Sequence, residues 1–182
     1  GNHDDQEALQ RIAMRRSDDA IQAHLHYEFE ANGVQIICVD SNGPAELPAG
    51  NVPEDQILWL RTLCSADDPR PLVVATHHNP LPVGTPWLDG FMRMVNGEAF
   101  HEALLPARHR LRGVFHGHIH QNQDLYHDGI LYSSVASSWR QFTGYPTANE
   151  DQVRHDLSAR PGFNIVAVTD SGMVIRRHRF KL

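Results

Sequence analysis

The sequence has 182 residues, of which 41% are apolar and 21% charged, with a formal net charge of −6. That length suits one domain with a real core, and the composition is that of a globular protein. A net-negative molecule does not attract polyanions as a whole, which argues against a nucleic-acid polymer as partner; a small phosphate ester can still bind where cations supply local positive charge.

The chain order begins with Asp4–Arg16, which reads as a helix: Asp4 or Asp5 can cap it, and Arg15 and Arg16 close it in keeping with the helix dipole. His26–Ala31 and Val34–Asp40 flank Asn32-Gly33, a strong hairpin signal. Ser41 to Pro53 is rich in Gly, Pro and Asn and reads as loop. Pro53–Cys64 looks helical, with Ile57, Leu58, Leu60 and Leu63 apolar and proline near the start. Leu72–Thr76 is a short apolar run of the kind found in a buried strand, and it leads straight into His77-His78. Asn79–Gly90, with its prolines and glycines, is expected to be irregular.

Asn96–Leu105 reads as a helix, and Gly113–Phe115 as a second buried strand running into His116-Gly117-His118. Two hairpins follow, Asp124–His127 with Ile130–Ser134 about Asp128-Gly129, and Phe163–Thr169 with Met173–Phe180 about Asp170-Ser171-Gly172. Gly144–Pro161 is polar and expected to be an exposed loop or short helix. Strands mixed with covering helices define an α/β or α+β domain in which polar residues leave strand ends into loops.

No apolar run is long enough to cross a bilayer and nothing resembles a signal peptide, so no membrane partner is expected. Cys38 and Cys64 read as small core residues and not as a disulfide framework, so a cytoplasmic setting is expected. The unusual count is 13 histidines, dispersed along the chain. Histidine is the commonest metal ligand and the usual proton carrier near neutral pH.

Three segments deliver imidazole or amide groups into loops: Gly1-Asn2-His3-Asp4, Thr76-His77-His78-Asn79-Pro80 and Gly117-His118-Ile119-His120. Singly, each has a plainer explanation. The first could be a helix cap, the second surface residues after a strand, the third a chance pair in a histidine-rich chain. On an extended backbone, His118 and His120 would share one face, because strand side chains alternate. Together, the segments point to a metal site.

These blocks resemble the calcineurin-like metallophosphoesterases, with their Gly-Asn-His-Asp/Glu, strand-His and Gly-His-x-His motifs. Within that superfamily the chain is most similar to the bacterial class III cyclic-AMP phosphodiesterases. The likeness is carried by His77-His78-Asn79-Pro80-Leu81-Pro82, Gly84-Thr85-Pro86-Trp87-Leu88-Asp89, Gly117-His118-Ile119-His120-Gln121 and Gln141-Phe142. It implies a calcineurin-like sandwich of sheets flanked by helices. It also implies hydrolysis of a phosphodiester, a cyclic nucleotide or another small phosphate ester, by two divalent or trivalent ions such as Mn, Fe or Zn. Asn2, His77 and His118 would ligate one ion and His120 the other. His3 would stabilise charge or protonate the leaving oxygen, and Asp4 would orient His3. His78 and His116 would not be ligands.

The family also uses Asp-x-His and Gly-Asp blocks upstream of these, and the sequence contains neither pair. Residues 1–182 are therefore expected to be the C-terminal portion of one metallophosphoesterase domain. The expected alternatives are a broad phosphomonoesterase and a non-catalytic metal-binding fragment. The missing strands would leave an exposed edge, so a homo-oligomer is a further expectation.

Overall fold

Uninterrupted apolar runs form the middle of the sheet because a parallel strand is buried on both faces. The computed structural model describes residues 1–144, 153–156 and 158–181. Its main sheet holds β1 (Tyr27–Ala31), β2 (Val34–Cys38), β3 (Leu72–Ala75), β4 (Leu111–His116), β5 (Asp124–His127) and β6 (Ile130–Ser134), in the order β1-β2-β3-β4-β6-β5. β2, β3, β4 and β6 run parallel, and β1 and β5 close the edges antiparallel. The architecture is thus α/β, a mixed sheet covered by helices.

Both two-residue hairpin turns follow from their sequences. Asn32 and Gly33 have φ of 49° and 79°, and Asp128 and Gly129 have φ of 49° and 83°. Two successive left-handed residues make the turn whose twist matches the flanking strands.

α1 (Gln6–Ala8) is much shorter than the helix expected over Asp4–Arg16. Asp5 caps it, accepting from the Ala8 amide at 2.9 Å, and a π-turn then carries the chain only to Ala13. The buried Gln10 gives the reason. Its side chain donates to the Gln22 carbonyl and accepts from Arg16 and from the Gln22 amide, drawing the following loop back over the turn.

α2 (Glu54–Ser65) starts on Pro53, and Glu54 and Asp55 in its first turn complement the helix dipole. Ile57, Leu60 and Cys64 share its buried face, the spacing of an amphipathic helix. α3 (Gly97–Leu104) buries Phe100, Ala103 and Leu104. These side chains meet Ile37, Leu72, Val74, Leu111, Val114, Ile130 and Tyr132 from the sheet in one core. Each large apolar side chain taken fully from water stabilises the fold by about 1.5–3 kcal/mol. Asn96 joins α3 to the preceding loop, clamping Val52 through both its amide and its carbonyl, at 3.0 and 2.7 Å.

One further short pairing was not foreseen. β7 (Gln141–Thr143) runs antiparallel to β8 (Arg154–Asp156), inside the segment expected to be loop or short helix. The rest of that expectation, over 145–152 and 157, lies outside the described residues. β9 (Gly162–Val168) and β10 (Met173–Arg179) form the last hairpin, which lies against β4 and β5: Arg112 donates to the Thr169 and Asp170 carbonyls, and Arg177 pairs with Asp124. Among the described residues, no helix is long and apolar enough to cross a membrane.

Candidate metal centre

Parallel strands all discharge at one edge, and the loops after β3 and β4 carry the histidines there. His77 and His78 follow β3; His118 and His120 follow β4. The N-terminal segment is drawn to the same edge, so residues far apart in sequence meet. Asn2 Oδ1 lies 3.0 Å from His77 Nε2, and His118 Nδ1 lies 3.1 Å from the same nitrogen. Asn2, His3, Asp4, His77, His118, His120, Trp87 and Phe142 line one cavity of about 540 Å³.

The backbone after β4 is not extended, contrary to the expectation for His118-x-His120. His118 and His120 have φ of 68° and 52°. Ile119 between them is fully buried beside Leu88 and Met92. Anchoring Ile119 while presenting both imidazoles to the cavity requires left-handed backbone on either side, a conformation histidine tolerates better than most residues. Strained backbone of this kind gathers at functional sites. The two rings consequently do not join one ligand group: His118 sits with His77, whereas His120 stacks on Phe142 with ring centres 4.9 Å apart.

His78, set aside in the sequence, is drawn into the cluster. One nitrogen each from His77, His78 and His118 lie within 4.8 Å of one another. Ser41 Oγ is 2.7 Å from His78 Nδ1, which fixes the ring and leaves its Nε2 buried without a protein partner. Gly50 packs against this ring so closely that any side chain there would overlap it. The lone signal in the sequence was the adjacency His77-His78; the partner Ser41 carries no motif.

The cluster is electrically neutral at neutral pH. Burial, then neighbouring histidines, push His118 down to about 2 and His77 down to about 3. Burial likewise lowers His78 to about 4. Neutral imidazole is the form that binds a metal ion. His118 Nε2 and His120 Nδ1 are also buried without partners. Lone pairs gathered in this way, with unpaired nitrogens, fit a cation of the transition series. His116 is buried in β4 and turned to the Gly117 carbonyl, in line with its expected role as a strand histidine.

One expectation is corrected. The loop over Asn79–Gly90 is not wholly irregular. A helical turn, Leu88–Met92, forms where Asp89 accepts from the Val83 and Gly84 amides at 2.6 and 2.9 Å. Asp40, another acid near this edge, has its oxygens occupied by Gln6 and the Leu25 and Asn42 amides.

The family model of the calcineurin-like phosphoesterases matches residues 1–122. The chain belongs to this family. A probable cyclic nucleotide phosphodiesterase of Psychrobacter arcticus is 30% identical over 96% of this chain and 62% of its own length. The 3',5'-cyclic adenosine monophosphate phosphodiesterase CpdA of Pseudomonas aeruginosa is 34% identical over 94% of this chain and 58% of its own length. The chain thus spans less than two thirds of these relatives. A dimetal phosphatase from Danio rerio shares the fold, with a TM-score of 0.58 and 15% identity over 75% of this chain and 59% of that one.

Proposed function

We propose that the protein carrying this chain hydrolyses a phosphodiester, a 3',5'-cyclic nucleotide, at a centre of two transition-metal ions of the Mn, Fe or Zn class. The observation that carries the reading is the meeting of Asn2 Oδ1, His77 Nε2 and His118 Nδ1 at 3.0 and 3.1 Å beside an open cavity. Asn2, His77 and His118 would hold one cation and His120 would contribute to the second. When bound, the cations neutralise the phosphate and lower the cost of nucleophilic attack by water.

The chain's own residues do the rest. His3, exposed at the cavity, is placed to protonate the leaving oxygen or to stabilise its charge. Trp87 and Phe142, edge to face with ring centres 6.0 Å apart, form an apolar wall against which a nucleobase can lie. Ser41 holds the His78 ring against the ligand loop. The names of the relatives support a cyclic nucleotide as substrate. Asp-x-His and Gly-Asp pairs are absent from these 182 residues; the remaining ligands of the second cation are assigned to the part of the domain that this chain does not span.

The test is steady-state hydrolysis by the complete protein, supplied with Mn²⁺, of cyclic AMP and of p-nitrophenyl phosphate. A larger kcat/KM for cyclic AMP is expected. A clear preference for the monoester would replace this reading with a phosphomonoesterase.

A further inference from the structure

The Asp128-Gly129 turn precedes β6, and β6 runs parallel to β4. The turn therefore lies at the end of the sheet opposite the loops that carry His77, His118 and His120. There α3 meets the β5–β6 hairpin, and His101, His127 and Asp128 come together. We infer that these three side chains form a separate binding site for a divalent transition cation of the Zn²⁺ class, one that clips α3 to the edge hairpin.

The donor atoms of the three residues all lie within 4.8 Å of one another. His101 Nε2 is 3.4 Å from Asp128 Oδ2, and His127 Nε2 is 3.7 Å from the same oxygen. An N–H···O hydrogen bond is normally about 2.7–3.2 Å long. Ligands on a tetrahedral zinc with bonds of about 2.0–2.2 Å are separated by about 3.3–3.6 Å. The observed spacings are long for hydrogen bonds and close to the edges of such a tetrahedron. Two imidazoles and one carboxylate are also a donor set that zinc accepts, with a further position left for water.

His101 is the fixed member. It is 4% exposed, and its Nδ1 lies 2.6 Å from the hydroxyl of Tyr132, itself 1% exposed. A partner on the far nitrogen orients a ligand histidine and selects its tautomer. If Tyr132 accepts from Nδ1–H, the Nε2 lone pair is directed at the Asp128 carboxylate, and two acceptors then face each other with room for a cation between them. His127 and Asp128 are exposed and can adjust to complete the sphere. Asp128 and nearby Glu98 make the local charge negative, partly offset by Arg93 at 3.7 Å from Glu98.

The sequence gives no notice of this site. His101 and the pair His127-Asp128 are separated by a helix end and a strand, and only the packing of α3 on the sheet edge joins them.

The catalytic edge also binds metal, so the site is read by difference. The protein is titrated with Zn²⁺ by calorimetry, beside His127→Gln and Asp128→Asn. Both substitutions are at exposed positions, and asparagine keeps the left-handed turn at 128. Circular dichroism checks that the variants are folded. The wild type is expected to take up one equivalent more than either variant. Tyr132→Phe is expected to weaken that extra equivalent by about 10–100-fold. Co²⁺ is expected to broaden the imidazole NMR signals of His101 and His127. Equal stoichiometry in the wild type and both folded variants would overturn the proposal and leave a hydrogen-bonded staple. Neither readout depends on phosphodiester hydrolysis, so the two proposals fail separately.

Discussion

Gly97 begins α3 directly beneath the carbonyl oxygen of Pro80, so close that a β-carbon at Gly97 would overlap it. Pro80 lies three residues after His77, and the clash would be with backbone, which cannot swing aside. Gly97→Ala is therefore expected to destabilise the protein by about 1–3 kcal/mol and to displace the ligand loop. Urea unfolding gives the first quantity, and the Mn²⁺ dissociation constant reports the second. A variant with the stability and affinity of the wild type would show that α3 and the loop are not tightly coupled.

His3→Ala in the complete protein is expected to lower kcat by about 10²–10⁴-fold while leaving metal content unchanged. His3 lines the cavity without joining the cluster of ligand nitrogens. Metal analysis beside the kinetics separates the roles, since parallel loss of metal and activity would make His3 a ligand.

Trp87→Ala is expected to raise KM for a cyclic nucleotide more than for a phosphate ester that lacks a base. A stacked base contributes about 1–3 kcal/mol. Trp87 also packs against the Leu88, Met92 and Ile119 cluster, so some loss of stability should accompany the change. Equal effects on the two substrates would leave Trp87 with packing alone.

Acid should weaken the metal-free protein early. His77, His78, His116 and His118 have folded pKa values pushed down to about 3, 4, 4 and 2, chiefly by burial. The unfolded chain takes up these protons near the ordinary value of about 6.5. Below that pH the unfolded state binds more protons than the native state, so stability rises with pH and falls on acidification. Each group contributes up to about 1.4 kcal/mol per pH unit between about pH 6.5 and its folded value. Urea midpoints at pH 7.5 and 5.5 check the sign. Saturating Mn²⁺ should raise the midpoint at pH 7.5, because a ligand of the native state adds stability by mass action.

The 182-residue chain by itself is expected to bind one Mn²⁺ measurably and a second only weakly, without normal turnover of cyclic AMP. In the proposed centre Asn2, His77 and His118 would serve one cation, whereas His120 stands apart against Phe142. Two cations side by side without a bridging carboxylate repel each other. Two tight sites with full turnover would defeat this prediction.

The strands and hairpins were legible because their signals are local. Asn32-Gly33 and Asp128-Gly129 dictate their turns, and the apolar runs into His77 and His116 mark buried strands. His77 and His118 could be placed at one edge because β3 and β4 are parallel and share it, whereas Asn2 joined them through the family motif Gly1-Asn2-His3-Asp4. The end of α1 was not legible, since it depends on the Gln10 side chain reaching Gln22 across a loop. Nor were the left-handed His118 and His120, whose backbone is imposed by burying Ile119 between them. Ser41 was invisible for a similar reason: its role exists only once β2 and β3 lie side by side. β7 escaped because three residues carry no period.

Asn2 and His77 are 75 residues apart, and His77 and His118 are 41 apart. No short segment of this chain can therefore offer a cation more than a fraction of the site. Closing such long loops costs entropy before any contact repays it, so the ligand group should be among the last features to form during folding. A metal ion at the proposed centre would then act as an inspector of finished molecules: it would be held by chains whose β2, β3 and β4 have already aligned, and would draw the population toward them.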